Sequence, residues 1–548
     1  MTLLIDLFGY LSIILHGLTI GAQSMAVGGV LFLVFLARPF AASLPDGATL
    51  VRRTGVIAGW SALALVACEL LAVALQVAVL IGSVDLGLFD ALTAQFAVAG
   101  LVKAAAAGVL GAVLLTRRPA PVPALLGLCA VVLAAAVMTT HAAARLANGP
   151  VLLAATGLHI LGAAIWIGGI PFFIVALRRL RDGAAFRRVG ARFSRISMLG
   201  VACILLSAAT MTWFYIGTWD AAYGTAYGVM VGAKAAMFAA LLLLGLGNFL
   251  VVERLRADPA TPVLRMRRFA EVEIGIGFSI FFAAASLTSV PPAVDLTQDR
   301  VTWAEIVERN TPQWPRLESP DHDTLAIAML QSRLDAEAAR ARTAAPRAVV
   351  PGSGELPPRN AADVAWSEYN HHWAGLFVVA VGVLGLLNRA GLRAARHWPL
   401  MLLGLAGFLL IRSDPEVWPL GTIGFFESFR DVEVLQHRVF VLLIVVFALF
   451  EWGVRTGRLR RPGAALVFPL LTAAGGALLL THTHAISNVK DQLLIEMSHT
   501  PLALAGIGAG WARWLELRAD GPIRRLAGWA WPVCFLVVGA ILLFYREV

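Results

Sequence analysis

Apolar runs of about 20 residues or more recur along most of this chain, separated by short arginine-bearing segments. Each run is long enough to cross a hydrocarbon core of about 30 Å as a helix. Inside lipid the backbone must satisfy its own hydrogen bonds. Continuous runs do this as helices, and the alternating pattern of barrel strands is missing here. The predicted class is therefore all-α, a polytopic transmembrane helical bundle. Composition agrees: 59% of the 548 residues are hydrophobic and 14% charged, against about a quarter charged in a soluble domain. The lipid bilayer is thus the first partner implied.

About 14 spans are predicted, near residues 4–36, 55–81, 96–115, 121–140, 151–177, 196–217, 226–252, 270–290, 370–388, 398–411, 433–452, 463–481, 495–514 and 525–545. The first run, from about Leu3 to Leu36, is too long for a cleavable signal peptide and reads as a span. Arginine marks every second loop, as in RRLRDGAAFRRVGARFSR (178–195) and RTGRLRR (455–461). That alternation is the positive-inside pattern, and it predicts both termini on the outer face. It also accounts for the net charge of +10 without any nucleic-acid partner.

A long polar insertion, 291–369, carries many acidic residues and prolines and is placed outside the membrane on the outer face. Within it, 325–342 reads as an amphipathic helix and 343–360 as a linker. Three parts follow: an eight-span domain over 1–290, the insertion over 291–369, and a six-span, histidine-rich domain over 370–548. Cys68, Cys129, Cys203 and Cys534 all fall in spans without CxxC spacing, and read as small packing residues. No nucleotide-binding motif accompanies them, which argues against an ATP-driven pump.

Histidine is distributed unevenly on this topology. Ten of the eleven fall in the predicted outer half, His397 being the exception. In the first domain His16, His141 and His159 come from three spans at one depth, with Met138, Met211 and Met230 close by in sequence or level. Imidazole with soft thioether is a ligand mixture that suits Cu(I), although methionine also serves simply as packing. In the second domain His371, His372, His437, His482, His484 and His499 lie at four span ends, and Glu496 shares a helix face with His499. Six imidazoles fit one or two metal centres, or paired axial ligands to haem b; spacing does not choose between these. Three further polar residues, Glu69, Lys103 and Lys234, fall inside spans. An ion pair of Glu69 with one of the lysines would reduce the cost of burying both. Coupling to protons or metal is the other reading.

The stretch LHILGAAIWIGGIPFF (158–173) resembles the span that carries the H-x-x-G-A…W-x-G-G pattern of the CopD copper-resistance family. RRVGARFSRISMLGVACILLSAATMTWF (187–214) and VGAKAAMFAALLLLGLGNFLV (231–251) follow in the same order. SEYNHHWAGLF and the THTH…SHT region resemble the C-terminal extension of longer members. The resemblance implies a multi-pass protein of bacterial copper handling in the inner membrane. Such a protein moves copper or receives it from a periplasmic copper carrier. By the same resemblance His159 and Trp166 occupy the pattern's positions, with His16 as companion. Three functions are then in play: copper acquisition or transport, a haem b membrane redox protein, and an assembly subunit docking through 291–369. A transporter or metal-binding protein is the expected class, and an enzyme, if it is one, would be a membrane oxidoreductase.

Overall fold

The computed structural model describes residues 2–44, 46–84, 86–116, 120–145, 147–180, 183–298, 300–322, 325, 361–430, 432–481 and 489–547. Among these residues every regular element is helical, and the single β-bridge joins Val417 to Ile423. The main helices are α1 (Thr2–Phe32), α2 (Gly47–Val84), α3 (Gln95–Leu115), α4 (Val122–Met138), α5 (Gly149–Trp166), α6 (Ile170–Leu177), α7 (Gly183–Tyr215), α8 (Ala226–Ala257) and α9 (Leu264–Leu287). They continue with α10 (Trp303–Asn310), α11 (Ala361–Arg389), α12 (Met401–Arg412), α13 (Val432–Arg455), α14 (Val467–Leu479), α15 (Val489–Arg518) and α16 (Gly521–Leu543). Proline stands in the first turn of α4, α5, α6 and α16, where its missing N–H costs no intrahelical bond.

Eleven of the described helices are long and apolar enough to span a membrane. The chain is accordingly a multi-pass helical membrane protein. The other three expected spans fall on shorter or more polar helices. Val122–Met138 and Ala464–Leu479 are shorter apolar helices, and α15 dilutes its apolar run with Glu496, Ser498, His499, Thr500 and Pro501. The segment 326–360, which holds most of the expected amphipathic helix and the linker, lies outside the described residues.

Two compact units divide the chain: Phe8–Ala222 with Met230–Gln298, and Met1–Leu7 with Tyr223–Val229 and Asp299–Val548. In the first, helices approach backbone to backbone through glycine. The α5–α6 span breaks at Gly168, where a Cβ would sit 2.0 Å from the Ser24 carbonyl of α1. Gly28 returns the contact against Ala164 and Gly168. Small residues at such crossings replace the hydrophobic drive that lipid cannot supply. The contact also fixes direction: Ser24 meets Gly168 and Phe32 meets Phe172, so α1 runs parallel to α5–α6. On the other side, Gly162 of α5 and Gly200 of α7 meet through their carbonyls.

Gly168→Val is expected to force α1 away from α5–α6 and to lower the thermal unfolding temperature in detergent sharply. Gly232→Val, at a position with open space around its missing Cβ, is the control. Equal melting of the two variants would remove the crossing from the account.

The second unit is organised around Val378, Val381, Trp398, Leu402, Leu405, Ala448, Phe468 and Trp531. Gly375 against Gly539 brings α11 onto α16, and Gly476 against Ala503 and Ile507 brings α14 onto α15. α10 begins with a capping box in which Thr302 and Glu305 satisfy each other's backbone N–H groups.

Candidate metal-handling side chains

His159 lies one turn before Gly162 on α5, and Ser207 lies two turns after Gly200 on α7, so the glycine crossing brings the two together. His159 Nδ1 is 3.0 Å from Ser207 Oγ. That hydroxyl has one proton, and it faces two carbonyls of its own helix, Cys203 at 2.7 Å and Ile204 at 2.9 Å. With the hydroxyl proton given to its own helix, Ser207 Oγ accepts from His159 Nδ1–H. Nε2 is left as the lone-pair nitrogen, which is how a second shell presents a metal-ligating imidazole.

His16 sits eight residues before Ser24, and His159 nine before Gly168. With a rise of about 1.5 Å per residue, two parallel helices in contact at Ser24–Gly168 carry these rings at nearly the same depth. Met211 is one turn beyond Ser207 on α7. Met230 and Lys234 share a face of α8, and Lys234 is near enough to act electrostatically on His159. Trp166 is buried edge-on against Phe238. Met138, the last residue of α4, is 42% exposed, and its carbonyl accepts from Gln95. His141 opens a short helix after it, and its side chain is outside the described set.

The second unit repeats the imidazole arrangement. His371 Nδ1 is 2.8 Å from the Ser367 carbonyl one turn back, and His499 Nδ1 is 2.9 Å from the Ile495 carbonyl. A carbonyl only accepts, so both rings carry their proton on Nδ1 and hold Nε2 as the acceptor. His371 stacks on Tyr545 at 3.9 Å and is within electrostatic reach of His499, His372 and Glu547. His437 directs Nδ1–H at the Asp414 carboxylate, 2.6 Å away.

His372 is different. Its Nδ1 accepts from the Arg316 backbone N–H at 2.7 Å, and its Nε2–H donates to the Tyr545 carbonyl at 2.7 Å. Both nitrogens are committed to backbone, so this ring holds the 313–317 segment and the Tyr545 turn together and has no lone pair for a metal. Glu496 is buried and accepts from Thr500 at 3.2 Å. His482 and His484 lie outside the described residues. Among the described residues no three histidine, cysteine, aspartate or glutamate side chains come together closely enough to hold a metal ion. Of the imidazoles expected to form a centre in the second unit, His371 lies within electrostatic reach of His499.

Two buried polar pairs complete the membrane interior of the first unit. Lys103 Nζ of α3 is 2.9 Å from Glu69 Oε2 of α2, both nearly without exposure. Asn248 Nδ2 of α8 donates to Glu273 Oε1 of α9 at 2.7 Å. Ser207, Asp414 and Glu273 were not singled out from sequence. A carboxylate inside the apolar run AEVEIGIGF was the available signal for Glu273.

Residues 187–287, which cover α7 to α9, match the family model of copper resistance protein D, CopD. A stretch of 137 residues is 31% identical to the copper transport protein CutJ of Bacillus subtilis (strain 168). That stretch is 24% of this chain and 24% of the relative, so the match spans about a quarter of each. No solved structure matches the chain.

Proposed function

We propose that this chain, whose residues 187–287 match the CopD family model, acquires or transports copper in the bacterial inner membrane, taking the ion at outer-face imidazoles. One observation carries this reading. At His159 and His371 an oxygen acceptor faces Nδ1 and leaves Nε2 as the lone-pair nitrogen. Neutral imidazole presented in that way is a good ligand for copper.

In this reading His16, His159, Met211 and Met230 serve the ion in the eight-span part, and His371 with His499 in the six-span part. His141, Met138, His437, His482 and His484 remain candidates for the outer approach, with Glu496 and Trp166 supporting. His372 acts as a brace. The Lys234 ammonium near His159 opposes a resident cation there. Loose holding suits a station through which copper passes more than a storage site. A periplasmic carrier delivering copper to the insertion at 291–369, and both termini on that side, belong to the same proposal.

Metal and haem analysis of the purified protein tests it. The proposal requires bound copper and no Soret band. A Soret band without copper would replace it with the haem b reading, and neither cofactor would favour an assembly subunit.

A further inference from the structure

Glu273 lies in α9, five residues past Arg268 and roughly 7.5 Å deeper along the helix. It is 3% exposed. Its hydrogen-bond partner among the described residues is Asn248, whose amide nitrogen donates to Oε1 at 2.7 Å. Among the described residues it makes no ion pair.

The charged groups on the elements around it are engaged elsewhere or distant. On α9, Arg268 holds Glu271 at 2.7 Å, and Arg178, just after α6, approaches Glu271 at 3.9 Å. Arg267 donates to the Leu177 carbonyl, and Arg265 lies over the Phe269 ring. On α8, Lys234 is about 21 Å along the axis from Asn248. Glu253, Arg254 and Arg256 follow Asn248 toward the exposed helix end, with Glu253 and Arg256 3.8 Å apart. The described side chains of α1 add only Tyr10 and His16, and α6 adds no titratable group.

The second observation is on Asn248. Its Oδ1 is buried and has no hydrogen-bond donor among the described residues. A buried carboxyl without a counter-ion and a buried amide oxygen without a donor are each costly alone. One proton resolves both. A carboxylic acid facing a primary amide accepts N–H on one oxygen and donates O–H from the other, so the acid form of Glu273 supplies the donor that Asn248 Oδ1 lacks.

We propose that Glu273 and Asn248 form a proton-binding site between α8 and α9, and that copper movement through the CopD-like helices is coupled to proton loading and release there. In the loading step an O–H bond forms on the Glu273 carboxylate with a proton from water at the arginine-bearing end of α9. In the release step that bond breaks and the proton returns to water. The oxygen-only donor set selects a proton over Cu(I), which prefers sulfur and imidazole. The coupling rests on the copper reading above; the proton site does not.

Full-length protein in liposomes allows the two parts to be tested separately. Infrared difference spectra across a pH step should contain the carbonyl stretch of a protonated carboxylic acid. That band should be absent in Glu273→Gln, which keeps the amide pairing and the side-chain size, and present in Glu271→Gln. Absence of the band in wild type, or its persistence in Glu273→Gln, overturns the proton site. With a pH-sensitive dye trapped inside, copper addition should move protons in wild type and not in Glu273→Gln. Equal proton movement in both overturns the coupling. If wild type moves no copper at all, the copper reading and the coupling fall together, while the infrared result still decides the proton site.

Discussion

Lys103→Met is expected to destabilise the first unit by roughly 3–5 kcal/mol, the cost of leaving a buried charge without its partner. Lys103 Nζ and Glu69 Oε2 are 2.9 Å apart with side chains 3% and 7% exposed, so neither bulk water nor salt shares the load. Gly100, one turn before Lys103, lets α3 close onto Glu69 and Val73. For a unit of this size the loss corresponds to a melting temperature lower by roughly 6–20 °C. The double variant Glu69→Leu with Lys103→Met is expected to recover most of that, because an apolar pair of similar volume replaces both charges. A single variant that melts as wild type does would show that the pair is not desolvated. The double variant also separates two roles. A purely structural pair leaves copper movement intact, whereas a coupling pair yields a stable protein that no longer moves the ion.

Ser207→Ala is expected to weaken copper binding by about 10–100-fold, the usual effect of removing the group that orients a ligating histidine. The hydroxyl faces the Cys203 and Ile204 carbonyls of its own helix and His159 Nδ1. Without it, Nδ1–H loses its acceptor and the ring is free to turn or to change tautomer, and Nε2 is no longer held in place. His159→Ala should remove binding at this first-unit site while leaving that at His371 and His499. Titration of both purified variants with Cu(I) against a competing chelator reads the difference. Unchanged affinity in Ser207→Ala alongside lost affinity in His159→Ala would mean that another group orients the ring. Unchanged affinity in both would remove His159 from the path.

Much of the architecture was legible from the length of the apolar runs, since lipid leaves a continuous apolar segment no alternative to a helix. Number of spans was less legible. Helix α15 mixes Glu496, His499 and Pro501 into an otherwise apolar segment, and whether those residues face lipid or protein depends on neighbours that no local pattern names. The buried ion pair was half legible. Glu69 inside a span calls for a lysine, but only the packing of α2 on α3 selects Lys103 over Lys234.

The imidazoles show the same division. Their abundance at one predicted level was plain from sequence, yet each ring's role depends on its acceptor. His371 and His372 are adjacent, and the first keeps an acceptor nitrogen while the second spends both on backbone. Ser207 had no signal of its own, because a serine in a span ordinarily bonds back to its own helix, as this one also does. Glu273 was hidden by its closeness to Arg265, Arg267 and Arg268, which makes a carboxylate there look like part of the polar rim.

Copper K-edge X-ray absorption on the copper-loaded protein tests the presentation of imidazole nitrogen most directly. Wild type should give the outer-shell scattering pattern of imidazole, reduced in His159→Ala and reduced further when His371 and His499 are also replaced. A spectrum with no imidazole component, or one that these replacements leave unaltered, would contradict copper binding through those rings.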